Sequence, residues 1–546
     1  MINTDKKYIY NSTIRSTFNS MCKKYPENIL LSSSFINNKK SMREFTFKDV
    51  KKYINQNIVF FKENKIYLGD RIAVMVGNSP EYFILKLSLN YYGLSCVPIN
   101  MELSINEIQY ILKNSSSRYI ICLKKDLNNI KSLFFKKKIK ISVISLNSNN
   151  DLALEVNSGF KKKLSIKRLC SRTESSILYT SGTTGKPKGC VLTHEYEINA
   201  GYSYAIKKGL ISFNKGKERL YNCLPVHHVN SGILSFFAML ITANCQIQAD
   251  RFSVKNFWKD IKLSNATVFH YLGVMAPLLL KNKKNKIENK NSLRIGVGAG
   301  IEPSLHKKFE KRFKVPMIEL WGMTEMVRCI FDNQKNRKIG KRCFGKATYG
   351  LETKVINKYG NEVFNSEGEF LIRFNKQKPK TGFFSKYNKN VSASKAAWKN
   401  GWFITGDIVI KDKKGNHYFV DRAKNIIRRS GENISSAEIE QSLLNSKYIV
   451  NCCVMPIFHR YYEEEVFAFI VVSKEVKKNI ITAKNILKEA NESLAYFKLP
   501  CYIKFISSLP LTSSQKTNRG ELKKIMFSYN KNDYFNLEDF KRGLKK

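Results

Sequence analysis

The chain has 546 residues, of which 43% are hydrophobic and 12% are aromatic. This composition excludes a disordered protein, and the length exceeds what one hydrophobic core usually supports, so we expect more than one domain. The formal net charge is +50, which attracts anions but does not choose between nucleic acid, anionic membrane and phosphorylated small molecules.

The basic residues are dispersed along the chain instead of gathered in one arm. Runs occur at 135–140, 161–168, 281–290 and 375–380, where Lys is mixed with other polar residues. A solvated surface shaped by a Lys-, Asn- and Ile-rich coding bias explains this pattern better than a specific nucleic-acid footprint. We therefore predict no specific nucleic-acid partner and at most a peripheral contact with a membrane.

The cysteines and the apolar runs indicate the compartment. Twelve cysteines are scattered without metal-ligand spacing, which favours a reduced environment. Residues 1–13 lack an apolar signal core, and the longest apolar run, 233–243, is too short to span a bilayer. The expected protein is soluble and cytoplasmic.

Strands and helices alternate early in the chain. The pattern predicts a strand at 71–76, a helix at 80–92, a second helix, and a strand at 118–122. Ser104 and Glu107 form a capping box at the start of the second helix. Alternation of this kind predicts an α/β fold, with largely parallel sheets covered by helices.

A change of pattern near residue 421 predicts a domain boundary. Beyond it, Ser435 and Glu438 start a helix, and apolar strands follow at 449–455 and 466–472. This last part of the chain has the size of a small α+β domain. The predicted domains are a large one at 1–421 and a small one at 422–546.

The most specific segment is a loop of glycines, hydroxyls and lysines after an apolar strand. Residues 175–194 read SSILYTSGTTGKPKGCVLTH. Glycines let backbone N–H groups surround an anion, hydroxyls add hydrogen-bond donors, and lysines add positive charge. A polyphosphate is therefore the expected ligand. It is not a Walker A loop, because Pro187 stands where Ser or Thr would ligate magnesium. The residues assigned to phosphate binding are Thr180, Ser181, Gly182, Thr183, Thr184, Gly185, Lys186 and Lys188.

This loop resembles that of the acyl-CoA synthetases, adenylation domains and luciferases, the ANL superfamily of adenylate-forming enzymes. The resemblance implies a ligase that converts a carboxylic acid to an acyl-adenylate with ATP and Mg²⁺, and then passes the acyl group to the thiol of coenzyme A. It also implies a large domain with the ATP and acid sites, and a small, mobile C-terminal domain that takes two arrangements.

Further motifs of the resemblance follow in chain order. Residues 321–325 read WGMTE and resemble the family's adenine segment. By that resemblance, Trp321 stacks on the purine, Thr324 meets the α-phosphate and Glu325 ligates Mg²⁺, for which a carboxylate is a suitable ligand. The remaining residues assigned to the adenine site are Gly298, Ala299, Gly300, Gly322 and Met323.

The ribose and hinge motifs come next. Asp407 in WFITGD matches the ribose-binding carboxylate, whose oxygens suit two vicinal hydroxyls. In DRAKNIIRRSGEN, Arg422 matches the residue that holds ribose and phosphate, Lys424 the hinge, and Gly431 the thiol-access tunnel. The sequence departs from the family at Asn425, where Asp is usual.

The C-terminal motif supplies the catalytic lysine. Residues 509–519 read LPLTSSQKTNR, with Gln515 where the family has Gly. Lys516 keeps the position of the lysine that bridges the carboxylate and the α-phosphate. With Thr324 and His228 it makes up the predicted catalytic set.

The acid site is predicted from LPVHHVNSG at 224–232. His228 matches the family's histidine at the mouth of the acyl pocket, which Asn230 and Gly322 are also expected to line. There is no Asp where amino-acid-activating relatives place one, so an α-amino acid is not expected. Medium or long acyl chains, aryl acids and a carnitine-like acid remain open.

Two other functions compete with that of a coenzyme A ligase. An acyl-AMP ligase would load the phosphopantetheine of a carrier protein, but the insertion expected of such enzymes is missing between Glu369 and Thr405. A non-catalytic nucleotide or nucleic-acid binding protein would not need Lys516, Glu325 and Asp407. A homodimer is left open, and fatty acid metabolism is the expected pathway class.

Overall fold

A computed structural model describes most of the chain. The described residues are 12–34, 42–136, 138, 140–147, 150–157, 168–180, 187–273, 275–301, 303–348, 350–357, 359–422, 426–430, 432–473, 475–510, 517, 519–527 and 533–544. They pack into two compact units. The first comprises Met1–Met101, Leu112–Leu178 and Gly189–Asp421, and the second comprises Glu102–Ile111, Tyr179–Lys188 and Arg422–Lys546.

Two sheets are built mainly from parallel strands. In spatial order, the first contains Met326–Phe331, Met317–Met323, Ile295–Ala299, Val268–Leu272, Arg219–Asn222, Cys245–Gln248, Ile29–Ser33 and Glu44–Thr46. The second contains Lys386–Tyr387, Lys188–Thr193, Glu174–Thr180, Ser95–Pro98, Arg71–Met75, Tyr119–Leu123, Ser142–Leu146 and Leu152–Val156. Antiparallel pairs lie at the edges of both sheets, which confirms the predicted α/β class.

Two further sheets are mostly antiparallel. The third contains Cys343–Lys346, Asn416–Arg422, Trp402–Lys411, Glu367–Arg373 and Glu352–Ile356, with Trp398–Lys399 paired to Trp402–Lys411. The fourth contains Glu432–Ser435, Ile426–Arg429, Glu463–Val472, Tyr502–Phe505 and Phe535–Asn536, with Ile449–His459 paired to Glu463–Val472. The fourth sheet and its helices give the second unit its α+β character.

The helices begin and end at recognisable signals. In Pro80–Tyr92, proline takes the first turn and Gly93 ends the helix in the left-handed conformation at φ +105°. At Ile105–Ser115 the predicted capping box is present, because the Ser104 N–H donates to Glu107 Oε2 at 2.8 Å. The other described α-helices are Ile14–Lys24, Phe47–Glu63, Leu127–Lys136, His194–Ala205, Phe236–Ile241, Phe257–Leu263, Met275–Lys281, Pro303–Phe313, Val391–Ala396, Ser436–Leu443, Ile480–Ala490, Arg519–Phe527 and Glu538–Gly543. None of the helices in the described ranges has both the length and the apolar character that crossing a bilayer requires.

The second unit has its own apolar core, with buried ion pairs beside it. Glu465 is fully buried, accepts from Arg429 Nε at 2.7 Å and accepts from Lys541 Nζ at 2.7 Å. The Glu438 carboxylate, which the sequence assigns to a helix cap, accepts from Lys498 Nζ at 2.7 Å. Each buried charge is therefore compensated inside the unit.

All twelve cysteines are free thiols, and ten of them are buried. Burial raises the pKa of Cys329 to about 12 and that of Cys96 to about 12. Cys170 is exposed, and the Thr173 hydroxyl, which donates to its sulfur at 3.6 Å, lowers the Cys170 pKa. Free thiols in this number are typical of proteins from reducing compartments.

Candidate active site

Thr324 and Glu325 form the tip of a hairpin in the first unit. The strands Met317–Met323 and Met326–Phe331 pair antiparallel, with Met323 opposite Met326, so the turn between them is short. The Tyr196 hydroxyl donates to the Thr324 carbonyl at 2.6 Å. Tyr196 belongs to the helix His194–Ala205, which follows the phosphate loop in sequence. The bond therefore fixes the hairpin tip to this helix.

The Glu325 carboxylate is buried and oriented by a tyrosine. The Tyr387 hydroxyl donates to Glu325 Oε1 at 2.7 Å, and the Phe384 N–H donates to the Glu325 carbonyl at 2.9 Å. Burial and the neighbouring Glu325 charge raise the Tyr387 pKa well above its ordinary value, so this hydroxyl stays a donor at neutral pH. A carboxylate, whose oxygen atoms are hard ligands, fits Mg²⁺.

A hydrogen bond joins two of the predicted nucleotide motifs. Trp321 Nε1 donates to Asp407 Oδ2 at 2.8 Å, although the residues are 86 positions apart. The Trp321 ring is 6% exposed and packs on Phe344 and Phe370 at centroid distances of 5.9 and 4.9 Å. The structure therefore gives Trp321 the role of positioning Asp407, and its stacking on the purine stays a prediction.

The glycine segment beside the predicted adenine site is held by a buried carboxylate. Glu319 Oε2 accepts from the Gly300 N–H at 3.1 Å, and Oε1 accepts from the Ile301 N–H at 3.0 Å. A Cβ atom at Gly298 would lie 2.1 Å from the Tyr271 carbonyl oxygen, so only glycine fits there. Glu319 was not predicted as a site residue, although an acidic residue inside an apolar strand is a signal that the sequence contains.

We expect Glu319→Gln to lower the free energy of unfolding by about 1–3 kcal/mol, because one buried N–H loses its acceptor. Burial raises the Glu319 pKa to about 7 from an ordinary 4.5. The folded protein therefore holds a proton there that the unfolded chain has lost, and this stabilising contribution declines as the pH rises from about 4.5 to 7. Denaturant unfolding between pH 5 and 8 measures both effects.

The control for this variant is Glu63→Gln, which removes an exposed carboxylate. It should leave stability and its pH dependence unchanged. Equal stability of the Glu319 and Glu63 variants would contradict an anchoring role for Glu319.

Asn230 is the first residue of a π-helical turn, Asn230–Ser235, and a chain of buried hydrogen bonds positions its side-chain amide. Asn230 Oδ1 lies 2.6 Å from His270 Nδ1, and His270 Nε2 lies 3.0 Å from the Tyr204 hydroxyl. Burial lowers the His270 pKa to about 3, so the imidazole is neutral and must carry its proton on Nδ1 to donate to Asn230. Neither His270 nor Tyr204 was predicted from the sequence, because no motif links them to Asn230.

His228 lies in the turn before that π-helical segment. Its N–H donates to the Pro225 carbonyl at 3.1 Å, its carbonyl accepts from the Gly232 N–H at 2.9 Å, and its ring lies 4.5 Å from that of His227. The Val226 N–H donates to Asn78 Oδ1 at 2.9 Å and fixes the start of the turn. The His228 side chain is thus held by a rigid backbone.

Gly322 leaves space next to a cysteine. The residue is exposed, and a Cβ atom there would lie 2.6 Å from Cys329 Sγ. A larger side chain would have to displace that sulfur, so the present sequence keeps this position open.

The phosphate loop and the second-unit motifs are described only in part. Thr180 Oγ1 donates to the Lys188 carbonyl at 3.4 Å, which brings the two ends of the loop together. Arg422 ends the strand Asn416–Arg422. The predicted site residues outside the described ranges are Ser181, Gly182, Thr183, Thr184, Gly185, Lys186, Lys424, Gly431 and Lys516.

Comparison with known proteins identifies the family and several relatives. The family model of the AMP-binding enzymes matches residues 18–376, and that of the AMP-binding enzyme C-terminal domain matches residues 438–516. A crotonobetaine/carnitine–CoA ligase of Citrobacter koseri is 27% identical over 494 residues, covering 88% of this chain and 93% of the relative. The ligase of the same name from Proteus mirabilis is 25% identical over 492 residues, with the same coverage of both chains.

Solved structures share the fold. A double mutant of the o-succinylbenzoate CoA synthetase of Bacillus subtilis aligns with a TM-score of 0.79 at 21% identity, covering 94% of this chain and 99% of that one. The amide bond synthetase McbA of Marinactinospora thermotolerans aligns with a TM-score of 0.77 at 17% identity and the same coverage. The chain is an AMP-forming acid–thiol ligase that uses ATP and coenzyme A. It belongs to the family of AMP-binding enzymes, in the ANL superfamily that its phosphate loop resembles.

Proposed function

We propose that the enzyme activates an acid with a polar acyl group, uses ATP with Mg²⁺, and transfers the acyl group to free coenzyme A. The observation that supports it best is the Trp321–Asp407 hydrogen bond, which aligns two nucleotide motifs from distant parts of the chain. A protein that had lost catalysis would not need to align these two motifs, nor to bury and orient the Glu325 carboxylate.

The first half-reaction makes the acid reactive. A carboxylate oxygen attacks the α-phosphorus of ATP in line, and the bond to the bridging oxygen of pyrophosphate breaks. Asp407 orients the ribose, and Thr324 and Lys516 stabilise the charge that moves onto the α-phosphate oxygens. The Tyr196 bond keeps the Thr324 backbone from shifting during this step.

Magnesium is proposed at Glu325. The ion would neutralise charge on the phosphates, with the Glu325 carboxylate as its protein ligand. Tyr387 holds that carboxylate through Oε1, so its direction is fixed before nucleotide arrives.

The second half-reaction forms the thioester. The thiolate of coenzyme A attacks the carbonyl carbon of the acyl-adenylate, and AMP leaves with the electron pair of the broken C–O bond. We propose that Gly431 lines the path of the thiol.

The acid is proposed to carry a hydrogen-bond acceptor on its acyl group. Asn230 Oδ1 faces His270, and within the described residues no acceptor engages Asn230 Nδ2, so this N–H₂ group can donate to a ligand. A site with a polar donor rejects a purely aliphatic chain that leaves the donor unpaired. Carnitine, a hydroxy acid named for the curated relatives, has this chemistry.

The test is pyrophosphate release from ATP and magnesium across a panel of acids, with and without coenzyme A. Release together with a thioester product would support the proposal and identify the acid. Adenylate trapped by hydroxylamine without thioester would favour a carrier-protein acceptor. No release with any acid, while ATP still binds, would contradict it.

Asn230→Leu should shift the preference of the enzyme away from hydroxy acids. We expect kcat/KM for the best hydroxy acid to fall by about tenfold or more, because the variant loses the donor, while kcat/KM for the matched unsubstituted acid rises or stays constant. Kinetics with the two acids measure the ratio. An equal loss for both would mean that Asn230 only supports the fold.

Some assignments stay predictions. A cytoplasmic location, a role in fatty acid metabolism and a homodimer rest on the sequence analysis alone. An amine is a second candidate acceptor, since one structural neighbour is an amide bond synthetase. Amide product from added amines in the absence of coenzyme A would favour it.

A further inference from the structure

A large cavity in the first unit lies beside the hairpin that carries Thr324. Its volume is about 1400 Å³, and its walls are the helix His194–Ala205, the strand Met326–Phe331 and the segment 374–381. Part of the basic run at 375–380, which we expected to lie on a solvated surface, therefore lines a concave site. The predicted nucleotide residues, such as Trp321 and Asp407, do not line it.

The cavity is more basic than the chain as a whole. Eight of its 27 lining residues are Lys or Arg and two are acidic, whereas Lys and Arg make up 94 of the 546 residues of the chain. A general coding bias therefore does not account for it. Seven more lining residues are Asn or Gln, whose amides donate hydrogen bonds to anionic oxygens.

Lys207 and Arg328 concentrate positive charge inside the cavity. Within the described residues no carboxylate pairs with Lys207, whose Nζ lies 5.3 Å from the centre of the Phe331 ring. Burial, with Arg328 nearby, lowers the Lys207 pKa to about 8. The Lys207 ammonium, partly shielded from water and near a second cation, is stabilised by an anion that binds beside it.

The shape favours a small ligand over a nucleic acid. A single strand binds along aromatic stacking platforms, but Phe331 is buried and the Arg328 guanidinium lies 4.9 Å from the centre of the Phe374 ring. The volume lies above the range of about 300–1,000 Å³ typical of small-molecule pockets, so it has room for a small molecule together with the water around its charged groups.

We propose that this cavity binds a soluble small molecule carrying several phosphate groups, at a site separate from that of ATP. Lys207 and Arg328 contact the phosphate oxygens at its floor, and Lys346 and Lys378 contact them at its rim. The proposal goes beyond the ligase reaction and holds for any acid that the enzyme activates.

The test is calorimetric titration of the full chain with inorganic tripolyphosphate and with inositol hexakisphosphate, in saturating AMP. We expect one site per chain that AMP does not displace and that Asp407→Asn leaves unchanged. Lys207→Met combined with Arg328→Gln should weaken binding at least about tenfold, because charge-assisted hydrogen bonds are lost. Lys346→Gln combined with Lys378→Gln alters exposed side chains only, and it should weaken binding about threefold or more.

The matched control is Lys259→Gln combined with Lys262→Gln, which removes two exposed charges outside the cavity. Binding that is lost in the cavity variants and kept in this control supports the proposal. An equal loss in the control means non-specific attraction by the net charge and overturns it. No binding of either probe in saturating AMP overturns it. Displacement of both probes by coenzyme A also overturns it, because the cavity would then hold the phosphates of a substrate of the ligase reaction.

Discussion

Lys516→Ala is expected to lose at least about 10²–10³ of the rate of acyl-adenylate formation, because a preorganised cation no longer stabilises the charge that develops at the α-phosphate. ATP should bind with unchanged affinity, since the role that we propose for the lysine is on the reacting groups and not on the base or ribose. Pyrophosphate release in single-turnover mode measures the rate, and calorimetry with ATP measures the affinity. An adenylation rate within tenfold of that of the unaltered enzyme would contradict the assignment of Lys516 as the catalytic lysine.

Two variants make this result specific to the first half-reaction. Lys523→Ala removes an exposed lysine of the helix Arg519–Phe527 and should change nothing. Gly431→Trp should show the opposite pattern to Lys516→Ala, with acyl-adenylate still formed and thioester lost. Equal loss of both half-reactions in both variants would contradict separate roles for Lys516 and Gly431.

Asp407→Asn is expected to weaken ATP binding by about 10- to 10²-fold. In the proposed role the carboxylate accepts hydrogen bonds from two hydroxyls of the ribose, and an amide of the same shape replaces one charged acceptor with a donor. The variant should fold normally, because an amide oxygen can still accept from Trp321 Nε1. Calorimetric titration with ATP measures the change without knowledge of the acid.

The controls for Asp407 separate charge from position. Asp250→Asn removes an exposed carboxylate of the same unit and should leave ATP binding unchanged. Trp321→Phe keeps the carboxylate but removes its hydrogen-bond donor, and it should weaken binding less than Asp407→Asn. Full affinity in both Asp407→Asn and Trp321→Phe would mean that this pair does not contact nucleotide.

Local signals in the sequence predicted local structure well. The helix at 80–92 has the predicted bounds, since proline starts it and a glycine ends it. The strand predicted at 71–76 is found at Arg71–Met75. Ser104 and Glu107 cap their helix as expected, because both partners of that motif lie within one turn.

Contacts between distant segments could not be predicted in this way. The Trp321–Asp407 bond joins two different sheets, and His270 meets Asn230 only because parallel strands and a π-helical turn set their register. The Glu438 carboxylate, which matches a capping box in sequence, also accepts from Lys498 Nζ, 60 positions away along the chain. Such pairings depend on tertiary packing, which a single sequence does not encode by spacing.

The distribution of the cysteines decides how the enzyme can be assayed. Reagents that report free thiols by disulfide exchange react with thiolates that they can reach. In this protein such a reagent will titrate Cys170 rapidly, because it is exposed and its pKa is lowered, while the ten buried thiols stay silent as long as the chain is folded. Cys170→Ser removes the exposed thiol and leaves the half-buried Cys22, whose pKa is raised by burial and which therefore reacts slowly. In this variant the fast loss of thiol signal reports coenzyme A, and a later burst of reactive thiols reports unfolding.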